Sequence, residues 1–146
     1  MSNTLPAPSP SLGFCLSLAK AHAALIRRFD GRFATLHGIS FSDFVLLLHL
    51  NRAPGGKLRR VDLAEEVGLT ASAVTRSLIP LERIGLVTRQ RDRRDARVGY
   101  AVITKTGQRV LAEAMSSAEL ASEDAVRGKG EAELSRVAEL LVQIGG

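Results

Sequence analysis

The sequence has few of the residues and segments that mark secreted or membrane-spanning proteins. It contains a single cysteine, Cys15, which excludes a disulfide within the chain. No apolar run approaches the roughly 20 residues that span a bilayer. Residues 1–10 also lack the basic start and apolar stretch of a signal peptide. We therefore expect a cytoplasmic protein without a membrane partner.

Residues that carry enzyme chemistry are also scarce. The three histidines, His22, His37 and His49, are scattered along the chain. We find no nucleophile elbow, glycine-rich phosphate loop or pair of metal-ligand motifs. The sequence therefore predicts a protein that is not an enzyme and that holds no cofactor or metal.

Positive charge is in excess, and it is unevenly distributed. The formal net charge is +5, which favours polyanionic partners such as nucleic acid or acidic lipid. Residues 57–97 hold ten basic and six acidic side chains, whereas residues 98–146 hold five basic and seven acidic ones. We therefore expect a polyanion to bind the middle third of the chain.

Helical patterns at the two ends of the chain predict a dimerisation region. Residues 1–10 include three prolines and read as a flexible tail. Apolar residues then recur at three- and four-residue steps within residues 11–38, and again within residues 105–146. These stripes exceed what so small a core can cover, and an exposed stripe favours aggregation. We predict that both segments pair two copies of the chain.

Residues 39–104 have the pattern of a winged helix-turn-helix. Gly68 separates a short helix from one that Thr70 caps, and such a motif needs glycine at its sharp turn. Two β-rich runs, residues 86–91 and 98–103, flank a charged stretch and predict a hairpin with a polar tip. The predicted fold is mainly α with a small β-hairpin wing, flanked by N- and C-terminal dimerisation helices.

The second helix of this motif carries a candidate DNA-reading face. With Val74, Leu78 and Leu81 inward, the helical period turns small and basic residues outward or to the flank. These residues are Ala71, Ser72, Thr75, Arg76 and Arg83. Such a face fits the major groove, where Arg76 is the candidate to read guanine. The alternative is that its arginines only solvate a surface helix.

The hairpin tip is dense in guanidinium groups. Its basic residues are Arg91, Arg93, Arg94 and Arg97, against two acidic residues. This pattern suits phosphates or a narrow minor groove. The alternative is a charged tip that serves only solubility.

Four segments resemble the MarR family of bacterial transcription regulators. They read LTASAVTR at 69–76, LERIGLV at 81–87, DRRDAR at 92–97 and ITKTG at 103–107. The most specific part is the D-x-R-D-x-R wing, followed by a strand and a T-x-x-G helix start. Arg59 departs from the family pattern, which usually has a Thr-like cap there, so the start of the third helix stays open.

The resemblance implies a homodimeric repressor that binds double-stranded DNA. Two-fold symmetry then predicts a pseudo-palindromic operator with half-sites roughly 34 Å apart. The alternative is a winged-helix module that binds protein and not DNA, since fold does not fix function.

Family members commonly release DNA on binding small phenolic or aromatic ligands between the dimer helices and the winged domain. The candidate lining residues are His22, Phe29, Phe33, Phe41 and Phe44, although their helical spacing is also that of plain core.

The position of Cys15 also resembles that of the reactive cysteine in the organic-peroxide-sensing, OhrR-type branch of the family. A thiol near a helix N-terminus is readily oxidised, whereas most single cysteines are small buried hydrophobes. Release by an oxidant is thus a second prediction.

Overall fold

A computed structural model describes residues 4–146, which form six α-helices and a small sheet. The helices are α1 (Pro10–His37), α2 (Phe41–Arg52), α3 (Arg60–Val67), α4 (Ala71–Arg83), α5 (Lys105–Ala125) and α6 (Glu131–Gly145). The strands are β1 (Lys57–Arg59), β2 (Val87–Arg91) and β3 (Gly99–Ile103). This architecture confirms the predicted class, mainly α with a β wing. Residues 1–3 of the predicted tail lie outside the described residues.

Hydroxyl side chains cap the N-termini of four of the helices. Ser9, Ser40, Thr70 and Thr104 each accept a hydrogen bond from a backbone N–H three residues on, at 3.0–3.2 Å. These bonds satisfy donors that the first helical turn leaves free. Helix α3 differs, because its N-cap Arg59 makes no capping bond and pairs its guanidinium with Asp62 instead.

The sheet has one more strand than the predicted hairpin. Strand β3 lies in the centre, with β2 antiparallel on one side and β1 antiparallel on the other. Residues Lys57–Arg59, directly before α3, thus form an edge strand, with Leu58 opposite Ala101. The pairing ties the start of α3 to the wing.

The core is centred on α2 and the helix-turn-helix. Leu46, Leu47 and Leu50 of α2 are almost completely buried. The motif adds Leu63, and Val74 and Leu78 follow from α4. Phe33 of α1 and Leu111 of α5 join the same cluster, so the long helices are anchored to the winged region.

The T-x-x-G segment fixes the start of α5 against the end of the helix-turn-helix. The hydroxyl of Thr104 donates to the carbonyl of Gly85 at 2.6 Å, and its backbone N–H donates to Leu86 at 3.0 Å. A Cβ at Gly107 would collide with the same Leu86 carbonyl. Only glycine therefore allows this close approach of helix and turn.

The terminal helices present apolar side chains that the chain itself does not cover. No described residue of α6 is buried, and Val137, Leu140, Leu141 and Ile144 are each at least partly open to solvent. Leu12, Leu16 and Leu36 of α1 are similarly exposed. Among the described residues, no helix alone has the length and hydropathy of a membrane span, and α1 with α2 does so only when joined across a 77° bend.

Candidate nucleic-acid interface

Helix α4 turns the predicted face outward. Val74, Leu78 and Leu81 are buried, so the opposite side of the helix is free. On that side Ala71, Ser72, Arg76 and Arg83 are exposed, and Thr75 is half-buried on the flank. Within residues 4–146, neither Arg76 nor Arg83 forms an ion pair. The face therefore has small side chains at the N-terminal end of α4 and carries positive charge.

The acidic residues of the wing tip fold the loop. Asp92 accepts hydrogen bonds from the backbone N–H groups of Arg94 at 2.7 Å and Asp95 at 3.2 Å, and from the Tyr100 hydroxyl at 2.9 Å. Asp95 accepts from the backbone N–H of Arg97 at 3.0 Å. Both carboxylates thus bond to the backbone of the tip, and of its arginine side chains only Arg97 pairs with one of them.

These bonds shift two pKa values in opposite directions. The Arg94 backbone N–H, then the Tyr100 hydroxyl, hold the pKa of Asp92 below its ordinary value. The same carboxylate stabilises the protonated phenol and raises the pKa of Tyr100. The contact is therefore present at neutral pH. It is lost only when pH falls past the lowered pKa of Asp92 or rises past the raised pKa of Tyr100.

The arginines of the tip remain available to a partner. Arg91, Arg93 and Arg94 are exposed and, in the part of the chain that the structure describes, form no ion pair. The Arg97 guanidinium contacts Asp95 at 3.2 Å, yet its side chain is 91% exposed. Such groups bind phosphates well, because the planar fork of donors matches two oxygens.

An ion pair that was not predicted links helix α4 to strand β2 of the wing. The Arg89 Nε donates to both Glu82 carboxylate oxygens, at 2.7 and 2.9 Å, so β2 is tied to the last turn of α4. The bond to Glu82 raises the pKa of Arg89 above its ordinary value. The sequence offers only a weak indication of this pair. Arg89 lies two positions after Val87, so the two side chains are on the same face of β2.

Sequence reasoning also missed Lys57 and Tyr100. The Lys57 ammonium lies 4.9 Å from the centre of the Tyr100 ring, and that ring's hydroxyl bonds to Asp92. The two residues stand on β1 and β3, whose pairing could not be read from the chain order.

The predicted ligand-pocket residues fall into two environments. Phe29, Phe33 and Phe44 are buried, and Phe41 stacks on Phe29 with ring centres 4.4 Å apart. His22 is exposed on α1, as is Cys15. The phenylalanines therefore form part of the core in this arrangement, whereas the histidine and the thiol face outward.

The chain resembles known proteins both in sequence and in fold. Residues 37–98 match the sequence model of the MarR family. The MarR family regulator Sco3205 from Streptomyces coelicolor, solved in complex with DNA, has a TM-score of 0.85, 23% identity, and coverage of 97% of this chain and 91% of its own. The chain has the MarR fold.

Two further solved structures extend the likeness. The transcriptional regulator BldR from Sulfolobus solfataricus is 28% identical, with a TM-score of 0.80 and coverage of 91% of this chain and 95% of its own. Bordetella bronchiseptica BpsR, solved to explain regulation of DNA binding by 6-hydroxynicotinic acid, is 19% identical, with a TM-score of 0.81 and coverage of 92% and 99%. No curated protein sequence matches significantly.

The MarR resemblance drawn from the motifs is confirmed over the winged region, since the first three segments lie within residues 37–98. The family consists of transcriptional regulators, and the neighbours compared above are regulators too. This agrees with the prediction of a protein that is not an enzyme.

The Asp92–Tyr100 contact gives a direct spectroscopic test of the wing geometry. Asp92→Asn should lower the pKa of Tyr100 towards its ordinary value, because the carboxylate that favours the protonated phenol is gone. The chain has one tyrosine and no tryptophan, so the ultraviolet absorbance of tyrosinate reports this residue alone. Asp95→Asn is the matched control and should leave the titration unchanged. An unaltered Tyr100 titration in Asp92→Asn would contradict the geometry.

Proposed function

We propose that this MarR-fold chain is a sequence-specific transcriptional repressor that binds duplex DNA as a homodimer in the cytoplasm. The observation that carries the proposal is the set of unpaired guanidinium groups on α4 and the wing tip. The Glu82–Arg89 pair holds these two elements side by side. The complex of Sco3205 with DNA supports the proposal by likeness of fold.

The exposed start of α4 suits the major groove. Ala71 and Ser72 allow the helix to approach base edges closely, and Arg76 extends from the same face. Arginine reads guanine through two hydrogen bonds to O6 and N7. We assign base reading to Arg76, with Thr75 on the flank and Arg83 at the C-terminal end of the helix.

The wing suits the sugar-phosphate backbone or the adjoining minor groove. Arg93 and Arg94 stand at the tip, and Arg91 and Arg97 stand at its base. Guanidinium groups bind phosphates without regard to sequence, and they favour a narrow minor groove for its negative potential. We assign affinity to the wing and sequence choice to α4.

Substitutions should separate these two roles. Arg76→Ala should cost about 1–3 kcal/mol at one base pair and relax the preference for a selected sequence, because a base contact is lost. Arg94→Ala and Arg97→Ala should weaken all duplexes about equally. Affinities of each variant for a selected duplex and a scrambled one provide the measurement. Equal losses on both duplexes for Arg76→Ala would show a phosphate contact and refute base reading.

The uncovered apolar faces of α1 and α6 argue for the homodimer. In α6, Val137, Leu141 and Ile144 recur on one side, and the helix has no buried residue within the described chain. A second copy would cover such a face, and a two-fold axis presents two winged motifs to one DNA molecule. The operator is then pseudo-palindromic.

A charge on that face should dissociate the dimer. Leu141→Glu places a carboxylate in the proposed interface and should shift the mass measured by analytical ultracentrifugation to that of one chain. Val142→Glu is the matched control, because its side chain lies on the far side of α6 and is 73% exposed. If Leu141→Glu sediments like the unaltered protein, this interface is wrong.

Release from DNA is proposed to follow a small aromatic ligand or an oxidant. The ligand alternative is supported by the similarity of this fold to that of BpsR, whose DNA binding is regulated by 6-hydroxynicotinic acid. Its candidate residues here are the phenylalanine cluster and His22, and a ligand would have to part rings that are now packed together.

The oxidant alternative depends on the exposed thiol of Cys15. Organic hydroperoxide should release the unaltered protein from DNA, as measured by fluorescence anisotropy of a labelled duplex. Cys15→Ser should stay bound under the same treatment. Equal release of both proteins would remove Cys15 from the mechanism.

A further inference from the structure

A cleft lined by arginines lies between the start of α3 and the wing. Its volume is about 590 Å³, and it is open to solvent on one side. The basic side chains in its wall are Arg59, Arg60, Arg89, Arg91 and Arg97. No aspartate or glutamate is among its lining residues in the described chain. Three of these arginines were not predicted as site residues.

Three of these five arginines are paired with a carboxylate. Arg59 pairs with Asp62 at 2.9 Å, Arg89 with Glu82 at 2.7 Å, and Arg97 with Asp95 at 3.2 Å. Arg60 and Arg91 form no ion pair in the described residues. The cleft therefore holds two guanidinium groups without a counter-charge, one from α3 and one from β2.

The paired arginines also keep donors for a ligand. Arg89 uses only its Nε towards Glu82, and Arg97 uses only its Nε towards Asp95. Their terminal nitrogen atoms are not used by these carboxylates. Donors thus reach the cleft from a helix start, a strand and the wing tip, which suits an anion with several oxygens.

We propose that this cleft binds one backbone phosphate of DNA, with Arg60 and Arg91 as its main contacts. The proposal rests on the DNA-binding function above and adds a third contact region to α4 and the wing tip. Arg91 and Arg97 in the cleft wall belong to the wing, and Arg89 links the wall to the last turn of α4 through Glu82, so the cleft is continuous with the proposed wing contact.

Size and openness favour a polymer phosphate over a free one. The cleft is much larger than one phosphate group and is not enclosed. A free anion would leave most of it to water, whereas a sugar-phosphate strand also brings its neighbouring sugars.

The test measures how binding of a fixed duplex depends on salt for the dimeric protein. Arg60→Gln should reduce the slope of log K against log salt by about 2, and weaken every duplex roughly thirtyfold near physiological salt, because one phosphate contact is lost in each of the two subunits. Arg60→Lys keeps the charge and should keep most of the slope. Arg136→Gln on α6 removes an equal charge far along the chain and should change neither quantity.

The outcomes separate this proposal from the function on which it rests. If the unaltered protein binds with a steep slope and Arg60→Gln has the same slope, the cleft proposal is overturned and DNA binding stands. If the unaltered protein binds no duplex, both are overturned. Replacing chloride by inorganic phosphate at equal ionic strength tests a free anion as the occupant. If that exchange does not weaken DNA binding, yet inorganic phosphate stabilises the DNA-free unaltered protein and not Arg60→Gln against thermal unfolding, the cleft is assigned to free phosphate and the DNA contact is overturned.

Discussion

Four carboxylates of the winged region are held by hydrogen bonds within the fold, and its positive surface depends on them. Asp62 and Glu82 each hold an arginine, while Asp92 and Asp95 hold backbone N–H groups of the tip. These carboxylates remain charged, but their hydrogen bonds are made to donors within the fold. The remaining arginines consequently face solvent without a counter-charge, which is the condition for attracting a polyanion.

The same region is joined to the long helices at one tight junction. Thr104 bonds to the carbonyl of Gly85 and to that of Leu86, and Gly107 lets the two segments touch. The end of α4 and the start of α5 therefore move as a unit. In a dimer held by α1 and α6, a change in the angle between subunits would be passed directly to the DNA-reading helix.

Much of the fold could be predicted because the signals are local. The Thr70 cap, the Gly68 turn and the apolar stripes each act over three or four residues, and the cap and the turn were found where the pattern indicated. The outward face of α4 followed from the helical period alone. The third strand could not be predicted, because the pairing of Leu58 with Ala101 joins residues far apart in the chain.

The same limit applies to the site. The tip arginines were evident as a dense cluster, but the Asp92–Tyr100 bond depends on how β2 and β3 pair, and the Arg89–Glu82 bond on how β2 packs against α4. Arg59 stood out only as a departure from a motif, and its pairing with Asp62 shows how α3 starts without a hydroxyl cap. The cleft joins three separate segments, so no sequence window contains it.

The central claim is that unpaired guanidinium groups bind duplex DNA, with those of the wing on phosphates and Arg76 of α4 on a base edge. The most direct measurement is the affinity of the reduced protein for a duplex across a range of salt concentrations. We expect log K to fall steeply and linearly with log salt, because each contacted phosphate releases counterions. Absence of binding to any duplex at low ionic strength, or binding that salt does not weaken, would contradict the claim.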